Sequence, residues 1–220
     1  MSWTMTRDPR AWLPGRLLAL GMAACSCTGA GGEAWPEGAA TVVELPAPRT
    51  TGTVTVEGAL AARRSVRTFT AEPLTRAELA QLLWAAQGVT HEPGRRTAPS
   101  AGALYPIELY AVTPDGLFHY QPDGHRLVLR SKGDLRGALA IAALDQECVA
   151  GAAAVFVVTG VVSRTAAKYG GLAERYVLLE AGHVGQNLAL QAVALDLGAV
   201  TVGAFEDDKV QRALGLPADH

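Results

Sequence analysis

Three guanidinium groups and a hydroxyl fall within five residues, Arg63-Arg64-Ser65-Val66-Arg67, at the end of an Ala-rich segment. Guanidinium forks grip phosphate oxygens in pairs and a hydroxyl adds a further donor, so the cluster suits a phosphate ester. The same residues suit a solvated basic patch at a helix end, where cations favour the dipole. On residue types alone both readings stand. The net charge over 220 residues is −2, so no general field would hold a polyanion such as nucleic acid, and any phosphate site has to be local.

Other chemistry-bearing residues are sparse. Pro99 to Pro106 reads by itself as a Pro/Gly loop, and Gly203 as the end of a strand. His183 lies in an apolar helical stretch and reads as a buried, hydrogen-bonded histidine, with Tyr176 a second candidate two turns before it. Cys148 is the one cysteine beyond the first 27 residues, which excludes a disulfide framework or cysteine metal cluster there; it reads as a small buried residue. No metal site is expected. No Gly-x-Gly-x-x-Gly opens a strand-to-helix turn, so the dinucleotide fingerprint is absent.

The elements that must position these residues are legible from pattern. Thr75-Arg76-Ala77-Glu78 is a capping box followed by Leu79, Leu82, Leu83 and Ala86, which predicts a helix from Thr75 to Gln87 that stops at Gly88. Strand character at Ile107–Val112 is followed by strand, turn and strand over 117–129, an antiparallel hairpin. The apolar, β-branched run Ala152–Val162 predicts a strand covered on both faces. A long helix over 171–195, apolar on most faces and so read as buried, then a strand at 199–202 and a helix at 207–214 complete the pattern. This order suits an α+β fold better than a doubly wound sheet.

Ahead of this lies a different kind of sequence. Arg7, Arg10 and Arg16 precede the apolar run Leu17–Ala24, and Cys25 follows. Residues 1–27 therefore read as a signal peptide or lipoprotein leader with Cys25 as the lipid-bearing residue, implying export to the periplasm or a membrane anchor. The alternative is a misassigned start and a cytoplasmic protein, since Trp12 and Pro14 sit awkwardly in a leader. Residues 28–52, rich in Gly, Ala and Pro, read as a flexible linker, and 53–220 as the folded domain.

Four motifs in order carry a resemblance. Arg63-Arg64-Ser65-Val66-Arg67-Thr68-Phe69 with the capped helix ending Leu82-Leu83-Trp84-Ala85-Ala86-Gln87-Gly88 resembles the N-terminal signature of nitroreductase-like FMN flavoproteins. Thr97-Ala98-Pro99-Ser100-Ala101-Gly102-Ala103-Leu104-Tyr105-Pro106, Glu180-Ala181-Gly182-His183-Val184-Gly185-Gln186-Asn187 and Gly198–Phe205 resemble the versions found in the SagB-type, azoline-oxidase branch. The resemblance covers about Ala59 to Pro217. It implies a three-layer α+β sandwich with a central, mostly antiparallel sheet flanked by helices, and a homodimer with FMN at the interface.

By the same resemblance Arg63, Arg64, Ser65 and Arg67 hold the FMN phosphate and ribityl chain. Pro99, Ser100, Ala101 and Gly102 lie along the ring, and Gly203 and Ala204 present N–H groups to its N5 and O4 edge. Hydride would pass through N5 to or from a small organic substrate, with NAD(P)H as a candidate reductant. Lys168-Tyr169 stands where azoline oxidases of this branch carry a proton-handling pair, which implies as alternative an azoline-to-azole dehydrogenase of a modified peptide; a plain surface Lys-Tyr pair is the other reading. A flavin-free exported binding or scaffold protein is a third reading. Family members continue into a last strand that reaches over the partner subunit. Here the sequence stops at Leu216-Pro217-Ala218-Asp219-His220, which reads either as a truncated member or as one with a weaker hold on FMN.

Overall fold

The computed structural model describes residues 16–22, 41–91, 94–217 and 219–220, the first segment by its backbone alone. Cys25, Cys27 and most of the expected linker lie outside the described residues. In chain order the elements are β1 (Arg16–Met22), β2 (Val42–Glu44), α1 (Val56–Ala62), α2 (Arg76–Gln87), β3 (Val89–His91), β4 (Arg95–Arg96), β5 (Ile107–Thr113), β6 (Gly116–Gln121) and β7 (Arg126–Lys132). There follow α3 (Arg136–Ala142), α4 (Glu147–Ala150), β8 (Val155–Gly160), α5 (Val162–Tyr169), α6 (Ala173–Ala194), β9 (Leu197–Val202) and α7 (Asp207–Leu214).

One seven-stranded sheet, ordered β2-β7-β6-β5-β8-β1-β9, organises the molecule. The pairs from β2 to β8 are antiparallel, while β1 runs parallel to both β8 and β9. Strand alternation sends successive β8 residues to opposite faces. Phe156 and Val158 join α2 and α6 in one core, and Val155 and Val157 join α3, α4 and α7 in the other. All six β8 positions are buried, and burying each such Val or Phe contributes about 1.5–3 kcal/mol. The result is the three-layer α+β sandwich with a mostly antiparallel sheet. Cys148 is buried with a free thiol.

Local chemistry explains the element ends. Thr75 Oγ1 accepts from Glu78 N at 3.2 Å, and Glu78 Oε2 accepts from Thr75 N at 2.7 Å, so α2 starts at a reciprocal capping box. It stops at Gly88, whose backbone turns extended (φ −65°, ψ 149°) and where a Cβ would lie 2.1 Å from Trp84 Cδ1.

Three features depart from the reading of the sequence. Val42–Glu44 pairs with β7, so the ordered unit begins ahead of Thr53; a three-residue edge strand in a Pro-rich stretch leaves no periodic signal. Arg16–Met22, within the expected leader, is an interior strand of the sheet here, registering Arg16 to Leu197 and Ala19 to Val155. Finally, α6 is not buried all round: Val177, Glu180, Ala181, Val184 and Leu188 face inward, while Leu178, Leu179, Gly182 and His183 are exposed. His183 is thus a surface residue, because it lies off the buried stripe of the helix.

Candidate active site

Thr55 caps α1 by accepting from Gly58 N at 3.0 Å, and the helix ends at Arg63. The chain then runs beside β9: Ser65 bridges Ala199 in parallel, and Val66 N donates to Ala199 O at 2.9 Å. Arg64 folds back on the helix end, its Nη1 donating to Ala61 O at 2.9 Å and Arg63 O at 2.7 Å. Arg64, Ser65 and Arg67 are exposed and Arg63 is half-buried. Among the described residues no carboxylate pairs with Arg63, Arg64 or Arg67. A cavity of about 320 Å³ opens beside them, lined by Ala62, Arg64, Val66, Asp196, Gly198 and Ala199.

From Ala199, four residues along β9 lead to Gly203, a distance of roughly 13 Å at strand rise. Gly203 and Ala204 are exposed. Gln146 Nε2 holds this turn by donating to Ala204 O and Ala143 O, both at 2.8 Å.

The loop 97–106 arrives at the same end of the sheet. Ile107, which opens β5, registers with Gly160, which closes β8; β8 and β9 both run parallel to β1 and so finish together. The loop is tightly wound, with Gly102, Ala103 and Tyr105 at φ of 63°, 54° and 47°. Left-handed backbone at non-glycine residues costs about 1 kcal/mol or more each and persists only where surrounding contacts impose it. Ser100 Oγ accepts from Tyr105 N at 2.9 Å, and Tyr105 Oη accepts from Arg96 N at 3.2 Å. The Arg96 guanidinium lies 4.6 Å from the Tyr105 ring centre, and Arg164 Nη1 donates to Tyr105 O at 3.2 Å. Burial pulls the Arg96 guanidinium below its ordinary value, against the attraction of Glu108, Asp123 and Glu180.

Gly102 meets Lys168 and Tyr169. A Cβ added at Gly102 would sit 2.9 Å from both Lys168 Nζ and Tyr169 Oη. Lys168 Nζ lies 5.4 Å from the Tyr169 ring centre, and Tyr176 packs edge-on to Tyr169 at 4.9 Å. The structure therefore gathers the site residues into two groups. Arg63 to Arg67 with Gly203 and Ala204 follow β9, and Pro99 to Gly102 with Lys168 and Tyr169 lie at α5. No hydrogen bond among the described residues links the two groups.

Two carboxylates escaped the sequence reading. Glu180 is 2% exposed, and its Oε1 has no hydrogen-bond partner among the described residues. Burial lifts its carboxyl above the ordinary range, and Ser100, Gln87 and the charge on Arg96 pull less strongly the other way. Glu108 joins Arg164 at 2.5 Å and His119 at 2.6 Å. A polar residue between buried Ile107 and Leu109 was the available signal for it.

Residues 60–220 match the model of the nitroreductase family. A Methanocaldococcus jannaschii protein named as a nitroreductase is 42% identical over 169 residues, covering 74% of this chain and 85% of its own. A nitroreductase crystal structure from Ralstonia eutropha superposes with a TM-score of 0.72 at 28% identity, over 98% of this chain and 93% of that one. A nitroreductase from Exiguobacterium sibiricum, solved in complex with FMN, shares the fold with a TM-score of 0.53 at 18% identity, over 77% and 87% of the two chains. The match over 60–220 and the 42% identity to the M. jannaschii relative lead to one conclusion: this chain belongs to the nitroreductase family and is an oxidoreductase of that superfamily.

Proposed function

We propose that the protein is an FMN-dependent oxidoreductase that passes hydride to or from a small organic substrate, with NAD(P)H as reductant. The observation that carries this reading is the row of donors beside β9. Among the described residues three guanidinium groups and Ser65 lie without acidic partners near Ala199, and the exposed backbone of Gly203 and Ala204 follows roughly 13 Å further on. That spacing suits a ribityl phosphate at one end and a flavin ring edge at the other. A Cβ at Gly203 would meet nothing within 4 Å, so a planar ring has room to approach. The FMN reported in the E. sibiricum relative supports the same choice of cofactor.

In this reading Arg63, Arg64, Arg67 and Ser65 hold the phosphate, and Arg64 gives up its helix carbonyls to do so. Pro99, Ser100, Ala101 and Gly102 flank the ring, and Gly203 and Ala204 donate to its N5 and O4 edge. FMN, when bound, supplies the two-electron carrier. Fixed N–H groups stabilise negative charge at the ring without reorganising. A homodimer is part of the reading: Leu178 and Leu179 on α6 and Val56 and Leu60 on α1 are apolar and exposed, which suits a partner surface. Arg67→Ala should release much of the flavin, read as the ratio of flavin to protein absorbance after gel filtration. A variant that keeps full occupancy refutes the phosphate assignment, and wild-type protein that takes up no FMN favours the binding-protein reading.

A second reading rests on the convergence of Lys168 and Tyr169 over Gly102. Oxidising an azoline to an azole removes a proton and a hydride, and an amine beside a phenol at the flavin-side loop is suited to take the proton. Loss of azole formation in Lys168→Ala, with flavin reduction unchanged, would favour the peptide dehydrogenase.

A further inference from the structure

The loop 97–106 touches α5 at two points. At one, Gly102 lies under Lys168 Nζ and Tyr169 Oη. At the other, Tyr105 O accepts from Arg164 Nη1 at 3.2 Å. Arg164 and Lys168 are four residues apart and share a face of the helix, so the second half of the loop, from Gly102 to Tyr105, lies along that face.

Arg164 is held in turn from the sheet. Its Nη1 lies 2.5 Å from Glu108 Oε1, and Glu108 is the second residue of β5, directly after the loop. The other carboxylate oxygen, Oε2, lies 2.6 Å from His119 Nε2 on β6. Arg130 Nη2 on β7 lies 3.1 Å from His119 Nδ1. His119 Nε2 donates to Glu108 Oε2. Tyr110 stacks on the His119 ring with centres 4.7 Å apart. The side chains of Glu108 and His119 are 15% and 13% exposed, against 43% for Arg164. A largely buried carboxylate thus meets a half-exposed cation.

We propose that Glu108 and Arg164 are positioning residues, which fix α5 against the flavin-side loop so that Lys168 Nζ and Tyr169 Oη meet over Gly102. The proposal rests on the FMN reading for its catalytic consequence, because a proton has to accompany each hydride delivered to an organic acceptor. Its geometric part does not. Glu108 is held at about 2, where the hydrogen bonds and charges of His119 and Arg164 outweigh burial, so the brace stays ionised throughout the neutral range and is no pH switch.

The chain has three lysines, Lys132, Lys168 and Lys209, so reductive ¹³C-dimethylation gives a short NMR spectrum in which Lys168→Arg identifies the Lys168 signal. Arg164→Met keeps the aliphatic stem and removes both polar ties; because Arg164 is largely at the surface, this variant should fold. With the brace lost, the Lys168 methyl signal should move by more than its line width while Lys132 and Lys209 stay in place, with and without FMN. In FMN-loaded protein with NADPH and a nitroaromatic acceptor, kcat should fall about tenfold with KM within twofold. Glu108→Gln should move the same signal in the same direction, and Arg164→Lys should restore only part of the rate. An unmoved Lys168 signal in Arg164→Met overturns the proposal, whatever happens to the melting temperature. Failure of FMN to bind wild-type protein overturns the cofactor reading and leaves the lysine measurement standing as the test of the brace.

Discussion

Removing the negative charge at Glu108 should cost the fold about 3 kcal/mol at neutral pH. The carboxyl sits at about 2, compared with an ordinary value of 4.5, and each unit between folded and unfolded chain corresponds to about 1.4 kcal/mol. Burial alone would raise it, but the hydrogen bond and charge of His119 and the ion pair with Arg164 prevail. Because the folded value is the lower one, the stabilisation is complete above about 4.5, fades as pH falls from there, and is gone below about 2. Breaking one partner of a buried pair costs 3–5 kcal/mol in general, which agrees with this size. Urea unfolding of wild type and Glu108→Gln at pH 7, 5, 4 and 3 measures it. The gap between the two should be about 3 kcal/mol at pH 7 and should close steadily below pH 4.5. Parallel curves across that range would show that the carboxylate owes nothing to its charge. Asp134 is also held down by Arg136, but with 42% of its side chain exposed it should add little to the acid dependence.

Thr75→Ala removes one side of the α2 capping box and should lower stability by about 1 kcal/mol, read by urea unfolding, with Thr75→Ser close to wild type. A methyl group at Gly160 would lie 2.3 Å from Val177 Cγ1, so Gly160→Ala should destabilise by about 1–3 kcal/mol and Val177→Ala should relieve it in the double variant. Gly102→Ala has to tolerate φ of 63° and displaces both Lys168 and Tyr169, so turnover should fall severalfold while FMN occupancy holds; unchanged turnover would remove Gly102 from the site. Deleting residues 1–24 removes β1, and the truncated protein should melt well below the full chain; equal melting temperatures would show that Arg16–Met22 is not a needed strand.

What the sequence disclosed follows the range of each signal. The capping box and the apolar run of β8 act within a dozen residues, and both elements lie where their residues put them. Glu108, Arg164 and Tyr105 meet only because β5 lies beside β8 and α5 follows β8, a placement that no local pattern encodes. The convergence of Gly102 with Lys168 and Tyr169 spans 66 positions and was reachable only through motif resemblance. His183 shows the opposite failure: an apolar helix suggests burial on every side, yet an exposed Leu178, Leu179 and His183 face is what a helix with a second, separate contact would carry.

Arg16–Met22 poses the sharpest conflict between local and global reading. A run of apolar residues after arginines is the composition of a leader, and it is equally the composition of a strand covered on both faces, because both must enter a medium without water. Periodicity cannot separate the two in seven residues. The sheet imposes a constraint that the leader reading does not: β8 and β9 run parallel and do not pair with each other, so each presents a row of backbone donors and acceptors to the space between them. Here β1 satisfies both rows. Cleavage ahead of Cys25 would take β1 away and leave those groups to another strand or unpaired, at a cost of about 1–3 kcal/mol for each buried orphan. Export with lipidation at Cys25 and a sheet completed by Arg16–Met22 are therefore mutually exclusive in one molecule, and a lipidated mature protein would need another strand between β8 and β9.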